Sequence, residues 1–221
     1  MLQISASIMC ADQLNIGRDV AELEACQVEY LHLDVMDGHF VNNIALGIDC
    51  CARLSNQKTP RDIHLLVEEP EKFIDSLKIN KGDIVGVHFE SKVDLAAISS
   101  KMHGAGAKLA VVLNPETDIE KIRDYLADID IVSLMMIKPG FPGLEMEKGM
   151  LEKIEDVRQW LDNNTDRYIP IEVDGHVNAD CLPTMYANGA RIFVAGTSSV
   201  FRKDVTITEG IDRLRKCVSF Q

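Results

Sequence analysis

Short apolar runs rich in branched residues alternate along this chain with stretches whose apolar positions recur every three or four residues. That is the pattern of repeated strand–helix units around a parallel sheet. Eight runs read as strands, near residues 3–7, 30–36, 61–66, 83–88, 108–113, 130–136, 169–174 and 191–195. Helical periodicity predicts helices over Gln13–Ala25, Glu71–Leu77, Leu95–His103, Ile119–Leu126 and Leu151–Leu161, with Asp12, Asp118 and Asn178 as N-caps. Glycine turns such as His103-Gly104-Ala105-Gly106-Ala107-Lys108 and Asn188-Gly189-Ala190-Arg191 return the chain to the sheet. Eight similar units without a low-complexity linker predict an α/β fold, a single (β/α)8 TIM barrel over residues 1–221. An open, doubly wound sheet of five or six strands is the alternative on pattern alone.

Composition narrows this picture. The 221 residues fit the lower end of a barrel's ordinary range of about 200–250. Apolar residues make up 46% of the chain, enough for a sizeable core, yet runs such as Ile129 to Ile137 fall far short of the ~20 residues of a membrane span. Met1-Leu2-Gln3-Ile4-Ser5 reads directly into a strand, so no secretory signal is expected. Cys10, Cys26, Cys50, Cys51, Cys181 and Cys217 have no metal-knuckle or CxxC spacing, as expected of reduced thiols in a cytoplasmic protein. A net charge of −12 argues against nucleic acid or an anionic membrane as partner. An anionic metabolite is still compatible, provided that backbone amides, helix N-termini or a local cation attract it.

Candidate chemistry follows from strand parity. In Leu31-His32-Leu33-Asp34-Val35-Met36 the apolar residues occupy one face, and His32, Asp34 and Met36 the other. His64 alternates with Ile63 and Leu65 in the same way, and Glu172 and Asp174 alternate with Ile171 and Val173. These polar sets face inward at the C-terminal ends of their strands, where barrel enzymes carry their active sites. Two histidines and two carboxylates converging there form a candidate site for one divalent metal ion, with donors that suit Zn, Mn, Fe or Co better than Mg or Ca.

The motifs resemble those of the ribulose-phosphate 3-epimerase family over nearly the whole chain. They are Ser7-Ile8-Met9-Cys10-Ala11-Asp12, the run from His32 to Val41, Asp62-Ile63-His64-Leu65 and Leu113-Asn114-Pro115. Pro139-Gly140-Phe141, Ile171-Glu172-Val173-Asp174-Gly175 and Val194-Ala195-Gly196-Thr197-Ser198 complete the set. The resemblance implies that His32, Asp34, His64 and Asp174 hold the metal, and that Asp34 and Asp174 transfer protons on opposite faces of the substrate. It implies epimerisation at C3 of a ketose phosphate through a metal-stabilised enediolate, with no organic cofactor. It also implies that Gly140, Phe141, Pro142, Gly143, Gly175, His176, Gly196, Thr197 and Ser198 surround the phosphate, while Ser7, His64, Met36 and Met135 meet the sugar. A dimer or hexamer is expected from the same resemblance.

Departures from the family pattern cluster away from the metal ligands. Lys138 stands where a neutral or acidic residue is usual, Pro142 replaces a small residue and removes a backbone donor, and Leu144 replaces a glutamine. His176 replaces a glycine, Asn42 a proline and Leu66 a third methionine. Lys138 and His176 are candidates for new phosphate contacts. Met9-Cys10, Asn114-Pro115-Glu116-Thr117, the non-glycine at 176 and Gly196-Thr197-Ser198 followed by Phe201 lean toward the D-allulose-6-phosphate 3-epimerase branch. The rival readings are a non-catalytic barrel that binds a sugar phosphate, and a decarboxylase or aldolase-like barrel. The latter would carry DxKxxD where Asp34-Val35-Met36-Asp37-Gly38-His39 stands, without a lysine.

Overall fold

A computed structural model describes residues 1–218; residues 219–221, the end of the span expected to form one domain, lie outside the described residues. Eight parallel strands close into a barrel: β1 (Gln3–Ser7), β2 (Tyr30–Asp37), β4 (Arg61–Leu66), β5 (Ile84–His88), β6 (Lys108–Leu113), β7 (Ile131–Met135), β8 (Ile171–Asp174) and β9 (Ala190–Ala195). Closure comes from the parallel β1–β2 pairing, in which Ser7 stands beside His32. A two-residue strand, β3 (Ile44–Ala45), adds antiparallel to the end of β2. The expected barrel is the observed one.

The helical layer differs in detail from expectation. Helix α1 runs Ile16–Ala25, three residues shorter than predicted, because Asp12 forms a turn instead of a cap: its carboxylate accepts the Leu14 backbone N–H and the Asn15 side-chain amide N–H. α3 (Glu71–Ile74) continues as a 3-10 turn, α4 spans Leu95–Ala105 and α5 spans Met150–Asn164. The segment Ile119–Tyr125 is a 3-10 helix, capped by Asp118 as expected. Asn178 caps a turn that precedes α6, accepting the N–H groups of Asp180 and Cys181. Three helices escaped the periodicity reading: α2 (Ile48–Leu54), α6 (Leu182–Ala187) and α7 (Ile207–Lys216). The first two are only about two turns or less, too short for a period to declare itself.

Strand parity divides the interior. Outward residues such as Leu31, Leu33, Ile63, Leu65, Val85 and Val87 pack against the helices in one large apolar cluster. Inside the barrel, Tyr30, Ile84, Ala110, Ile131 and Ile192 plug the floor. Above them lies a polar layer of Ser5, Asp62, Ser133 and Glu172, all nearly fully buried. At the mouth the run after β2 is folded by Asp37, whose carboxylate accepts the backbone N–H groups of His39, Phe40 and Glu68. Gly38 makes the turn at φ 76°. Among the described residues, no helix is long and apolar enough to cross a membrane.

Candidate active site

Parallel register brings Asp34 beside His64 across β2 and β4, and Met135 beside Asp174 across β7 and β8. Oδ1 of Asp34 lies 3.3 Å from His32 Nε2 and 3.5 Å from His64 Nδ1. Oδ2 of Asp174 lies 3.6 Å from His32 Nε2 and 3.2 Å from His64 Nδ1. Donors at about 2.0–2.1 Å around one tetrahedral ion would be separated by about 3.3 Å. The fit is supported by His64 Nδ1, a buried nitrogen that has no hydrogen-bond partner among the described residues although it faces two carboxylates. All four donor atoms fall within 4.8 Å of one another.

The electrostatics point the same way. Burial disfavours charge on His32 and His64, but Asp34, Asp62 and Asp174 outweigh it, raising His32 well above its ordinary value and His64 to about 9. Burial likewise opposes charge on Asp34, yet the two imidazoles hold its carboxyl well below the usual range. Two carboxylates thus create a place where positive charge is favoured, and a proton and a divalent ion would compete for it.

A supporting layer lies beneath. His32 Nδ1 meets Asp62 Oδ2 at 2.7 Å, and Ser5 Oγ donates to the same oxygen at 2.7 Å. Burial and the neighbouring Asp62 charge push Glu172, which lies beside Asp62 and Ser133, well above its ordinary value. On the other side, His64 Nε2 lies 2.9 Å from Nε2 of His88, a residue with no exposed surface. His88 Nδ1 lies 3.3 Å from Glu90 Oε2. Burial pushes His88 down to about 4 despite that carboxylate. His88 and Glu90 were missed in the sequence, although His88 ends β5, two residues past the Gly86 that pairs with His64, and parity alone marks it as inward. Asp62 was visible only as part of a motif.

Above the four residues opens a cleft at the mouth of the barrel. Asp34 and Asp174 lie at its walls with Ser7, Met36 and Met135, and Ser7 Oγ donates to Asp34 Oδ2 at 3.0 Å. Gly140, Phe141, Pro142 and Gly143 line it from the β7 loop, Gly175 and His176 from the β8 loop, and Gly196, Thr197 and Ser198 from the β9 loop. Met9, Cys10, Leu66, Ile137, Val177 and Val194 complete the walls without having been singled out as contacts. His64 sits below, out of the lining. Lys138 does not reach this cavity either. Ile137 takes the inward position, so Lys138 faces outward into a neighbouring cavity with Asn114 and Glu147. His176 holds a left-handed backbone at φ 56°, and its Nδ1–H donates to the Leu144 carbonyl at 3.2 Å.

A closed parallel barrel whose mouth presents two carboxylates across two imidazoles defines an acid–base enzyme of the α/β-barrel class. The chain belongs to the ribulose-phosphate 3-epimerase family, whose model matches residues 3–201, and it is an isomerase of the epimerase kind that acts on carbohydrate. It is 34% identical over 207 residues to the ribulose-phosphate 3-epimerase of Bacillus subtilis (strain 168), covering 92% of this chain and 94% of that one. To the ribulose-phosphate 3-epimerase of Methanocaldococcus jannaschii it is 32% identical over 206 residues, covering 92% and 86%. The 3-hexulose-6-phosphate synthase of Salmonella typhimurium shares the fold alone, with a TM-score of 0.65 at 11% identity over 98% of each chain.

Proposed function

We propose that this protein is a metal-dependent 3-epimerase of a phosphorylated ketose, of the D-ribulose 5-phosphate or D-allulose 6-phosphate class. One observation carries the reading: Asp34 and Asp174, from strands on either side of the barrel closure, reach the same cavity and the same pair of imidazoles. One carboxylate removes the C3 proton from one face of the sugar, and the other returns a proton to the opposite face, which inverts the centre. His32, Asp34, His64 and Asp174 would hold a divalent ion, Zn, Mn, Fe or Co by donor type, which supplies Lewis-acid stabilisation of the charge that develops on the neighbouring oxygens. Ser7 orients Asp34, and Met36, Met135 and Leu66 exclude water from one side of the sugar.

The phosphate belongs at the glycine-rich end, against the loops carrying Gly140–Gly143, Gly175–His176 and Gly196–Ser198. Backbone N–H groups there are suited to an anion that the protein's overall negative charge repels. Lys138 is left out of this site by its outward position. Leu66, Pro142 and His176, all in the cavity wall, are places where this chain departs from the family pattern, which supports a substrate other than the pentulose. The hexulose reading is therefore retained beside it.

The test is conversion of ribulose 5-phosphate, xylulose 5-phosphate, allulose 6-phosphate and fructose 6-phosphate, followed by NMR of the epimer pairs with Zn, Mn, Co or Fe added. One pair should interconvert, and a chelator should stop it. If no pair interconverts with any metal while the protein still binds one of these sugar phosphates, the chain is a binding barrel and the proposal fails.

A further inference from the structure

The two imidazoles at the candidate metal centre are backed by different partners. His32 Nδ1 rests on the carboxylate of Asp62, which fixes His32 with Nε2 toward Asp34 and Asp174. His64 is turned the other way: its Nδ1 faces those carboxylates, and its Nε2 faces His88 instead of an anion. A histidine that ligates through Nδ1 must carry its proton on Nε2, and that proton needs an acceptor. His88 Nε2, 2.9 Å away, is the partner within reach.

For His88 to accept, its own proton must sit on Nδ1, where Glu90 Oε2 lies 3.3 Å away. Glu90 is held in that position by its other oxygen, which accepts the Asn114 N–H at 3.0 Å and the Thr117 hydroxyl. Phe40 packs against the His88 ring at 4.6 Å between centroids. Every donor in the series then finds one acceptor: His64 Nε2–H to His88, His88 Nδ1–H to Glu90. Reversing any member would place a hydrogen on His64 Nδ1, where it would block the nitrogen that faces Asp34 and Asp174.

From this geometry we infer that His88 is a positioning residue: with Glu90 it sets the tautomer and ring orientation of His64 so that Nδ1 is free to bind the metal. The inference rests on the metal-dependent reading given above. It also assigns the His88-Phe89-Glu90 segment a role in the metal centre, although neither His88 nor Glu90 reaches the substrate cavity.

The experiment is Co(II) titration of wild type, His88→Leu and His88→Gln, reading affinity and the visible absorption of the bound ion. His88→Leu removes the acceptor and should weaken Co(II) binding about 10- to 100-fold with an altered spectrum, a typical loss for such a supporting partner. His88→Gln retains an oxygen acceptor and should recover part of the loss. Unchanged affinity and spectrum in His88→Leu overturn the inference while leaving the metal reading intact; a wild-type protein that takes up no Co(II) overturns both. If His88→Leu does not fold, 15N NMR of the Zn-loaded wild type decides. A proton on His64 Nε2 and on His88 Nδ1 is expected, and a proton on His88 Nε2 overturns the inference.

Discussion

At the scale of single residues the candidate site depends on a few carboxylates whose surroundings differ. Asp174→Asn keeps the volume and removes the base, so kcat should fall by about 10²-fold or more with little change in thermal midpoint. Activity assays and circular dichroism on the same preparation check both halves of that expectation. Glu90 gives a pH signature. Burial would raise its carboxyl from the ordinary 4.5, but bonds from His88, Thr117 and Asn114 outweigh it and hold it at about 2. A depressed folded value stabilises above the unfolded value and loses that contribution as pH falls toward 2. The thermal-midpoint gap between wild type and Glu90→Gln should therefore be widest near neutrality and close on acidification; a gap constant from pH 7 to 3 would refute it. His32, Asp34, His64 and Asp174 were legible in the sequence because strand parity needs no tertiary information. The outward position of Lys138, which the sequence offered as a phosphate contact, was not legible, because it lies in the loop past the end of β7. His88 and Glu90 were not, because their role depends on which neighbouring strand meets His64.

At the scale of elements, the eight strands were readable because barrel strands are buried on both faces and form continuous apolar runs. The short helices were not, and neither was the 3-10 form of Ile119–Tyr125, since spacing of three or four suits both geometries. The loops at the mouth depend on backbone shape that sequence only hints at. Gly175 ends β8 at φ 109°, and a Cβ there would stand 2.5 Å from Ile137 Cγ1. Gly175→Ala therefore meets both backbone strain, about 1–3 kcal/mol, and a steric clash. The variant should lose stability by at least that amount in denaturant titration, and its KM should rise because the β8 loop moves away from the cavity. His176 shows that the next position tolerates a side chain at φ 56°, helped by its bond to Leu144.

At the scale of the whole molecule, metal and fold are coupled through three strands. β2, β4 and β8 supply all four candidate ligands; β2 and β4 are paired neighbours, and β8 lies on the other side of the β1–β2 closure. Binding an ion there ties the two sides of the closed sheet, so saturating Zn or Co should raise the thermal midpoint, by about 2.7 kcal/mol of stability at 100 times Kd. A melting curve unchanged by metal would argue against a site that belongs to the folded state alone. The barrel mouth, however, does not shelter its two acids equally. Asp34 sits under the Ser7 hydroxyl with 8% of its side chain exposed, whereas Asp174 has 13% exposed. Under the proposed mechanism a hydrogen taken by Asp174 meets solvent sooner than one taken by Asp34. A tritium label at C3 should then wash out faster from the epimer that Asp174 deprotonates, and isotope bookkeeping would give the two directions of one reversible reaction different signatures.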